Sequence, residues 1–166
     1  MLRRFASFKI AAVCCCFLAL AACSKKSTPD LEANAGPGVG AAAGSAEQFQ
    51  QEVGDRVYFV VDQSTLTPEA EETLRRQAAW LQQYQGVAIQ VEGHSDERGT
   101  REYNIALSAR RATAAREFLI AQGIEASRIS SIAYGKERPA ALCDAEQCYS
   151  QNRRAVTVIT SGAKTS

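Results

Sequence analysis

The sequence predicts an α/β (α+β) fold, a two-layer sandwich in which two helices pack on one mixed four-stranded sheet. Four short strand-like runs, most of them rich in β-branched and aromatic residues, and two long helical segments follow one another in the order β-α-β-α-β-β. Proline, glycine and threonine lie where the predicted helices begin and end. The hydrophobic fraction of 46% in 166 residues is sufficient for one such core.

The first two elements follow from local signals. Residues 57–61 (Val-Tyr-Phe-Val-Val) predict a buried strand. Thr67 is a helix N-cap followed by proline and glutamate, and Ala70, Leu74, Ala78 and Leu81 recur on one face of the helix, which we expect to end near Tyr84.

The remaining elements carry similar signals. Residues 87–93 predict the second strand, and the second helix runs from Arg101 to about Gln122, where Gly123 stops it. Residues 129–134 and 155–160 predict the third and fourth strands. Trp80 and Phe118 are interpreted as core or sheet-facing residues rather than ligand contacts.

Residues 1–22 have the pattern of a secretory signal, with Arg3, Arg4 and Lys9 before an apolar run at 10–22 that is too short to span a bilayer comfortably. The sequence Leu-Ala-Ala-Cys at 20–23 resembles the lipobox of bacterial lipoproteins. That resemblance implies a diacylglycerol on Cys23, and Ser24 implies sorting to the outer membrane. An ordinary signal cleaved after Ala22 and an uncleaved anchor are the alternatives.

Residues 23–49 are predicted to be a flexible linker between the lipidated cysteine and a domain at 50–166. The segment is rich in Ala, Gly, Ser and Pro and cannot bury enough surface to offset chain entropy. About 25 such residues reach roughly 25–30 Å. An Ala-rich helix over 41–50 is the alternative near the start of the domain.

The net charge limits the function classes. The full chain has 19 basic and 18 acidic residues, and removal of residues 1–22 takes away three basic residues, which leaves a net charge of −2. Electrostatic steering to an anionic polymer is therefore not expected, and we predict no nucleic-acid binding.

The sequence from Asp96 to Ala112 contains the densest set of chemically informative residues. It is Asp96-x-x-Gly99-x4-Asn104-x-x-Leu107-Ser108-x-x-Arg111-Ala112, after the second strand and into the second helix. This pattern resembles that of OmpA-like peptidoglycan-binding domains. Together with Val-Tyr-Phe at 57–59, Tyr-Gly-Lys-Glu at 134–137 and Asn-Arg-Arg-Ala-Val at 152–156, it resembles the peptidoglycan-associated lipoprotein family over about residues 52–160.

The resemblance implies reversible binding of meso-diaminopimelate in the peptidoglycan stem peptide, at a site that includes Asp96, Arg111, Asn104, Leu107 and Gly99. Diaminopimelate ends in an ammonium and a carboxylate on one carbon. Asp96 can accept from the ammonium, and the planar guanidinium of Arg111 can hold the carboxylate. Amide groups at the start of the helix after Gly99 add donors. The chain departs from the family pattern at Val60, where many relatives carry an acid, and has Asp62 two residues later.

Cys143 and Cys148 lie five residues apart in a predicted polar loop and are expected to form a structural disulfide. A metal site needs more ligands, and His94 is the single histidine of the chain. We predict no cofactor and no bound metal.

Parts of the sequence are compatible with two other function classes. A hydrolase centred on His94, Ser95 and Asp96 is disfavoured because adjacent residues leaving a strand point in alternating directions, so no enzymatic activity is expected. A periplasmic protein-docking module with little direct wall binding is the main alternative. The family resemblance implies both roles, within the Tol–Pal envelope system that includes TolB and supports envelope integrity and cell division.

Overall fold

A computed structural model of the protein describes residues 41–165. The predicted signal at 1–22, Cys23 and the linker as far as residue 40 lie outside the described residues. Among residues 41–165, none of the helices combines the length and the apolar character that crossing a membrane requires.

The predicted fold class is confirmed. Strands β1 (Arg56–Tyr58), β2 (Ala88–His94), β3 (Ile129–Gly135) and β4 (Arg154–Ser161) form one mixed sheet. The strand order is β1-β4-β2-β3, with β2 parallel to β3 and β4 antiparallel to both β1 and β2. The two long helices are α2 (Pro68–Gln83) and α3 (Arg101–Ala121), close to their predicted bounds.

A single apolar core joins the two layers. Ile89 and Val91 alternate along β2 toward the helices, and they pack in one cluster with Leu74 and Leu81 of α2 and with Leu119 of α3. Trp80 belongs to this cluster and Phe118 packs against it, as predicted for both residues.

A short helical segment precedes the sheet. Helix α1 (Ala46–Gln48) continues as a π-helix at Phe49–Gly54. Ser45 caps α1 by accepting from the amide of Gln48, and the buried ring of Phe49 meets Trp80 edge to face with centroids 4.9 Å apart. Residues 45–49, which the sequence assigned to the linker, therefore pack on the folded domain.

The start and the end of the domain lie side by side. Ser45 forms a parallel bridge with Lys164, whose amide donates to the carbonyl of Gly44 at 3.0 Å. The neighbouring end of β4, Ser161, pairs with Ala88, the first residue of β2.

Two predictions from the sequence were wrong in detail. The first strand ends at Tyr58 rather than Val61, because the chain turns away and Asp62 adopts a left-handed backbone with φ of 59°. The polar loop predicted between the last two strands contains a helix, α4 (Glu146–Asn152). Tertiary contacts rather than an apolar period hold this helix: a disulfide, an ion pair and the Asn152 side chain, which bonds the backbone of Ala140 and Ala141.

Candidate functional site

Strand β2 and helix α3 approach each other closely at Gly93, next to the candidate site. A Cβ atom on Gly93 would lie 1.9 Å from the carbonyl oxygen of Ser108 in α3, so only glycine allows this contact. The same strand delivers Asp96 two residues beyond its last residue, His94. The close contact therefore brings α3, and Arg111 on it, under the loop that carries Asp96.

A cleft of about 260 Å³ opens at this carboxyl end of β2. All five residues that the family resemblance implied line it, together with four others. The lining consists of Val61, Asp62, Asp96, Arg98, Gly99, Tyr103, Asn104, Leu107 and Arg111. The structure thus brings the sequence-predicted residues together from the loop after β2 and from α3.

Arg111 is a fully buried cation at the base of the cleft. Its guanidinium donates to three backbone carbonyls, those of Gln63 (Nε, 2.9 Å), His94 (Nη1, 3.0 Å) and Val60 (Nη2, 3.2 Å). Within residues 41–165 these bonds use three of the five N–H groups, which leaves one on each terminal nitrogen. Burial lowers the pKa of Arg111 to about 10, so the group remains charged at neutral pH.

Asp96 is a buried carboxylate surrounded by donors. Its Oδ1 accepts from the backbone amide and Nε of Arg98, and its Oδ2 accepts from Nη2 of Arg98 at 2.6 Å and Nη1 of Arg153 at 3.2 Å. Burial acts to raise the pKa of Asp96, but the bonds from Arg98 and Arg153 outweigh it, so the pKa lies below its ordinary value. Among the described ion pairs, none within 4.0 Å joins Asp96 to Arg111.

Asn104 and Gly99 shape the loop over the cleft. Gly99 has φ of 88°, a left-handed conformation that suits glycine, and Thr100 then caps α3. The side-chain amide of Asn104 donates to the carbonyls of Arg98 (2.8 Å) and Thr100 (3.1 Å), which ties the loop to the helix. Buried Leu107 adds an apolar wall.

Asp62 is a cleft residue that the sequence analysis did not assign to the site. Because Val60 replaces the acid that many relatives carry, we expected no ligand contact at the end of the first strand. The left-handed turn nevertheless places Asp62 on the cleft. A non-glycine residue with this backbone conformation is uncommon and occurs often at functional sites. An acid just after a β-branched run was the available sequence signal.

The charges that line the cleft are balanced. Asp62 and Asp96 supply two carboxylates, and Arg98 and Arg111 supply two guanidinium groups. A ligand with an ammonium and a carboxylate close together can satisfy such a set, whereas an anion or a cation alone leaves one pair unmatched.

Helix α4 lies behind the loop and contacts its charged residues. Cys143 and Cys148 form the predicted disulfide, with Cα atoms 5.7 Å apart. Glu146 of α4 forms an ion pair with Arg153, and the guanidinium carbon of Arg98 lies 4.5 Å from the centroid of the Tyr149 ring. In the part of the chain that the structure describes, no group of three or more His, Cys, Asp or Glu side chains could hold a metal ion.

Comparison with known proteins defines first the class of this domain. Residues 58–153, more than half of the chain, match the OmpA family. The solved peptidoglycan-associated lipoprotein of Burkholderia pseudomallei has a similar fold, with a TM-score of 0.64 and 34% identity over 67% of this chain and 96% of that one.

Two sequence relatives narrow the class. The peptidoglycan-associated lipoprotein of Mesorhizobium japonicum is 57% identical over 148 residues, 88% of each chain. That of Brucella melitensis is 53% identical over 144 residues, 86% of each chain. The chain therefore belongs to the peptidoglycan-associated lipoproteins of the OmpA family.

Proposed function

We propose that the domain binds peptidoglycan non-covalently through the meso-diaminopimelate of the stem peptide. The observation that supports this most directly is the cleft in which Asp96 and Arg111 lie close together without pairing with each other. The names of its relatives, peptidoglycan-associated lipoproteins, point to the same class of ligand.

The cleft can recognise the zwitterionic end of diaminopimelate with fixed groups. The two N–H groups of Arg111 that remain after its carbonyl bonds can donate to the ligand carboxylate. Asp96 and Asp62 supply negative charge for the neighbouring ammonium. Asn104 and Gly99 act through the loop geometry, since the Asn104 amide is bonded to backbone carbonyls on either side of Gly99.

In this proposal the whole chain is a tether and not an enzyme. A lipid on Cys23 holds the outer membrane, the linker spans part of the periplasm, and the domain binds the cell wall as a component of the Tol–Pal system. Each contact can be weak, because many anchored copies face a polymeric wall and act through a high effective concentration.

Docking of a periplasmic protein such as TolB is the second candidate. The observation that favours it is Leu142, which is 87% exposed in a loop braced by Asn152 and by the disulfide. Together with Pro139 and Ala141, which line the same depression, Leu142 forms an exposed apolar patch, and such a patch suits a protein contact. Since this loop adjoins Glu97, the residue after Asp96, wall and protein partner are expected to compete.

Co-sedimentation with purified peptidoglycan tests the proposal. The full chain in mild detergent is expected to sediment with walls that contain meso-diaminopimelate and less with walls that contain lysine, which lacks the neighbouring carboxylate. Asp96→Asn removes the charge that faces the ammonium and should weaken binding by roughly tenfold or more. The matched control is Asp144→Asn, in the disulfide loop, which should bind as the wild type does.

Circular dichroism establishes that each variant is folded. Equal sedimentation of folded Asp96→Asn and wild type would reject the site. Failure of the folded wild-type chain to sediment with either wall would reject wall binding and favour the protein-docking candidate, which added TolB would then test.

A further inference from the structure

The carboxylate of Asp96 has its full complement of hydrogen bonds before any ligand arrives. A carboxylate offers roughly four acceptor positions, and in residues 41–165 each oxygen of Asp96 already accepts two bonds. An incoming ammonium therefore has to replace one of the donors. We propose that the side chain of Arg98 is a built-in competitor, which leaves Asp96 when the ligand ammonium binds; this inference rests on the proposed function.

Arg98 is the donor with the fewest restraints. Its backbone amide is fixed in the loop, but its side chain is 45% exposed. The side chain of Arg153 is only 6% exposed, and it is held at the same time by the carbonyl of Phe59 (Nε, 3.1 Å) and by Glu146. Moving Arg153 would leave several buried groups unpaired, whereas moving Arg98 exposes a cation that already reaches solvent.

Helix α4 provides a place for the displaced guanidinium. Glu146 Oε2 lies 3.9 Å from Nη2 of Arg98, and the Tyr149 ring lies under the guanidinium at 4.5 Å. Glu146 and Tyr149 both belong to helix α4, which the disulfide ties to the preceding loop and not to the loop that carries Asp96. Both contacts can therefore persist when the bonds from Arg98 to Asp96 break. The exchange thus requires a side-chain rotation and no change in the backbone.

The competition acts only on ligands that carry the ammonium and lowers their affinity. A ligand with the ammonium gains Asp96 in exchange for Arg98, but a ligand whose amine is acetylated has no charge to offer and leaves the Asp96–Arg98 pair in place. Removal of the Arg98 side chain should therefore tighten binding of the first ligand and have little effect on the second.

Calorimetric titration of the full chain in mild detergent tests this inference. The probe is a soluble muropeptide that contains meso-diaminopimelate with a free amine, and the second probe is the same muropeptide with that amine acetylated. Arg98→Ala should bind the free-amine probe roughly three- to fivefold more tightly than wild type, the scale of a partly exposed ion pair. The acetylated probe should show less than a twofold change.

Arg101→Ala is the matched control. It removes a guanidinium from the next turn of the chain, where Arg101 is 68% exposed and pairs with Glu137 at 3.1 Å rather than with Asp96. Its affinity for both probes should equal that of the wild type, so a general loss of positive charge is separated from release of Asp96.

The outcomes separate this inference from the proposed function. Equal or weaker binding of the free-amine probe by folded Arg98→Ala, with wild-type binding intact, overturns the competition and leaves the wall-binding proposal standing. An equal gain for both probes also overturns it, since the gain would not depend on the ammonium. Failure of the wild type to bind the free-amine probe overturns both.

Discussion

Arg111 and Arg153 are two buried arginines close to the same carboxylate, and they are held in opposite ways. Arg153 pairs with Asp96 and Glu146 and donates to the carbonyl of Phe59. Arg111 donates to three carbonyls, and among residues 41–165 no carboxylate lies within 4.0 Å of it.

These two arginines show how a fold can bury a charged group and still leave its charge able to attract a ligand. Carboxylates cancel the charge of Arg153, so that residue forms part of the framework of the site. Carbonyl dipoles satisfy three of the five N–H donors of Arg111 but carry no net charge, so its positive charge still acts on the cleft. An anionic ligand group is then the natural counter-ion for Arg111.

Arg111→Lys should produce the largest effect, because it keeps the charge and removes the planar fork. A lysine cannot reach all three carbonyls, and the loss of these charge-assisted bonds, including the buried one to His94, should lower the free energy of unfolding by roughly 2–4 kcal/mol. Wall co-sedimentation should fall with it, at a temperature where the variant is folded.

Urea unfolding and co-sedimentation measure the two effects of Arg111→Lys separately. Arg110→Lys is the control on the adjacent, exposed position and should change neither quantity. A lysine variant that is as stable as the wild type would show that the three carbonyl bonds contribute little, and the contrast with Arg153 would fail.

His94 gives a second test, because its ring is buried and the folded state holds it neutral. Burial, with Arg154 and Arg138 nearby, lowers the pKa of His94 to about 4 from its ordinary 6.5, and its ring nitrogens have no hydrogen-bond partner among the described residues. The unfolded chain therefore binds a proton more readily than the folded one between these pH values. Stability should fall as the pH decreases from about 6.5 to about 4, by about 3 kcal/mol from this group.

The measurement is urea unfolding at several pH values for the wild type and for His94→Gln, in which the titrating group is removed. The difference between the two stability curves should change across this window and be flat above pH 7. Parallel curves would mean that the ring is not held neutral, and that Glu92, whose carboxylate lies 3.6 Å from Nε2, compensates the charge.

Removal of the disulfide should have the smallest effect on stability, and it tests directly whether Arg153 depends on helix α4 while Arg111 does not. Replacement of Cys143 and Cys148 by serine opens a loop with a sequence separation of 5, and a loop of that length contributes roughly 2 kcal/mol. The loss should be concentrated in helix α4 and the Glu146–Arg153 pair, because Arg111 makes no contact with α4 among its hydrogen bonds.

Hydrogen exchange locates the effect of opening the disulfide. Amides of Tyr149 and Arg153 should exchange faster in the double serine variant, while those around Asn104 and Arg111 should keep their protection. The double variant Ser127→Ala and Ser130→Ala, remote from the cysteines, serves as a control for handling two substitutions. Uniformly faster exchange would show that α4 is not a separate unit.

The elements that positioned the site could largely be predicted from the sequence. Strand β2 could be predicted because its apolar residues signal a strand locally, and helix α3 because Gly123 marks its end. Helix α4 could not be predicted, and a helix near Ser45 was predicted only as the alternative to a linker. Both segments are held by a disulfide, an ion pair and the Phe49–Trp80 contact rather than by a periodic pattern. The strand order, with β4 between β1 and β2, is equally a tertiary outcome.

For the site, the resemblance of the motif to OmpA-like domains indicated Asp96 and Arg111 but not their hydrogen-bond partners. Arg153 lies 57 residues from Asp96 in sequence, and nothing local to either residue signals that pair. The spacing also gave no sign that Arg111 would bond to backbone carbonyls, because two of the three carbonyls, those of Val60 and Gln63, belong to a turn formed after β1. The disulfide was predictable because both cysteines lie in one short polar segment.

The pairing of Ser45 with Lys164 has a mechanical consequence. Ser45 pairs with Lys164, and the nearby Ser161 pairs with Ala88, so Ser45 lies close to the start of β2. Asp96 follows the end of β2. Ser45 and Asp96 are therefore separated by the length of this seven-residue strand, about 20 Å. A chain pulled at Ser45 while Asp96 is held would load the sheet along its strands. The hydrogen bonds from β2 to β3 and β4 run across the direction of that force. They would therefore be loaded in shear and all at once, rather than broken one after another.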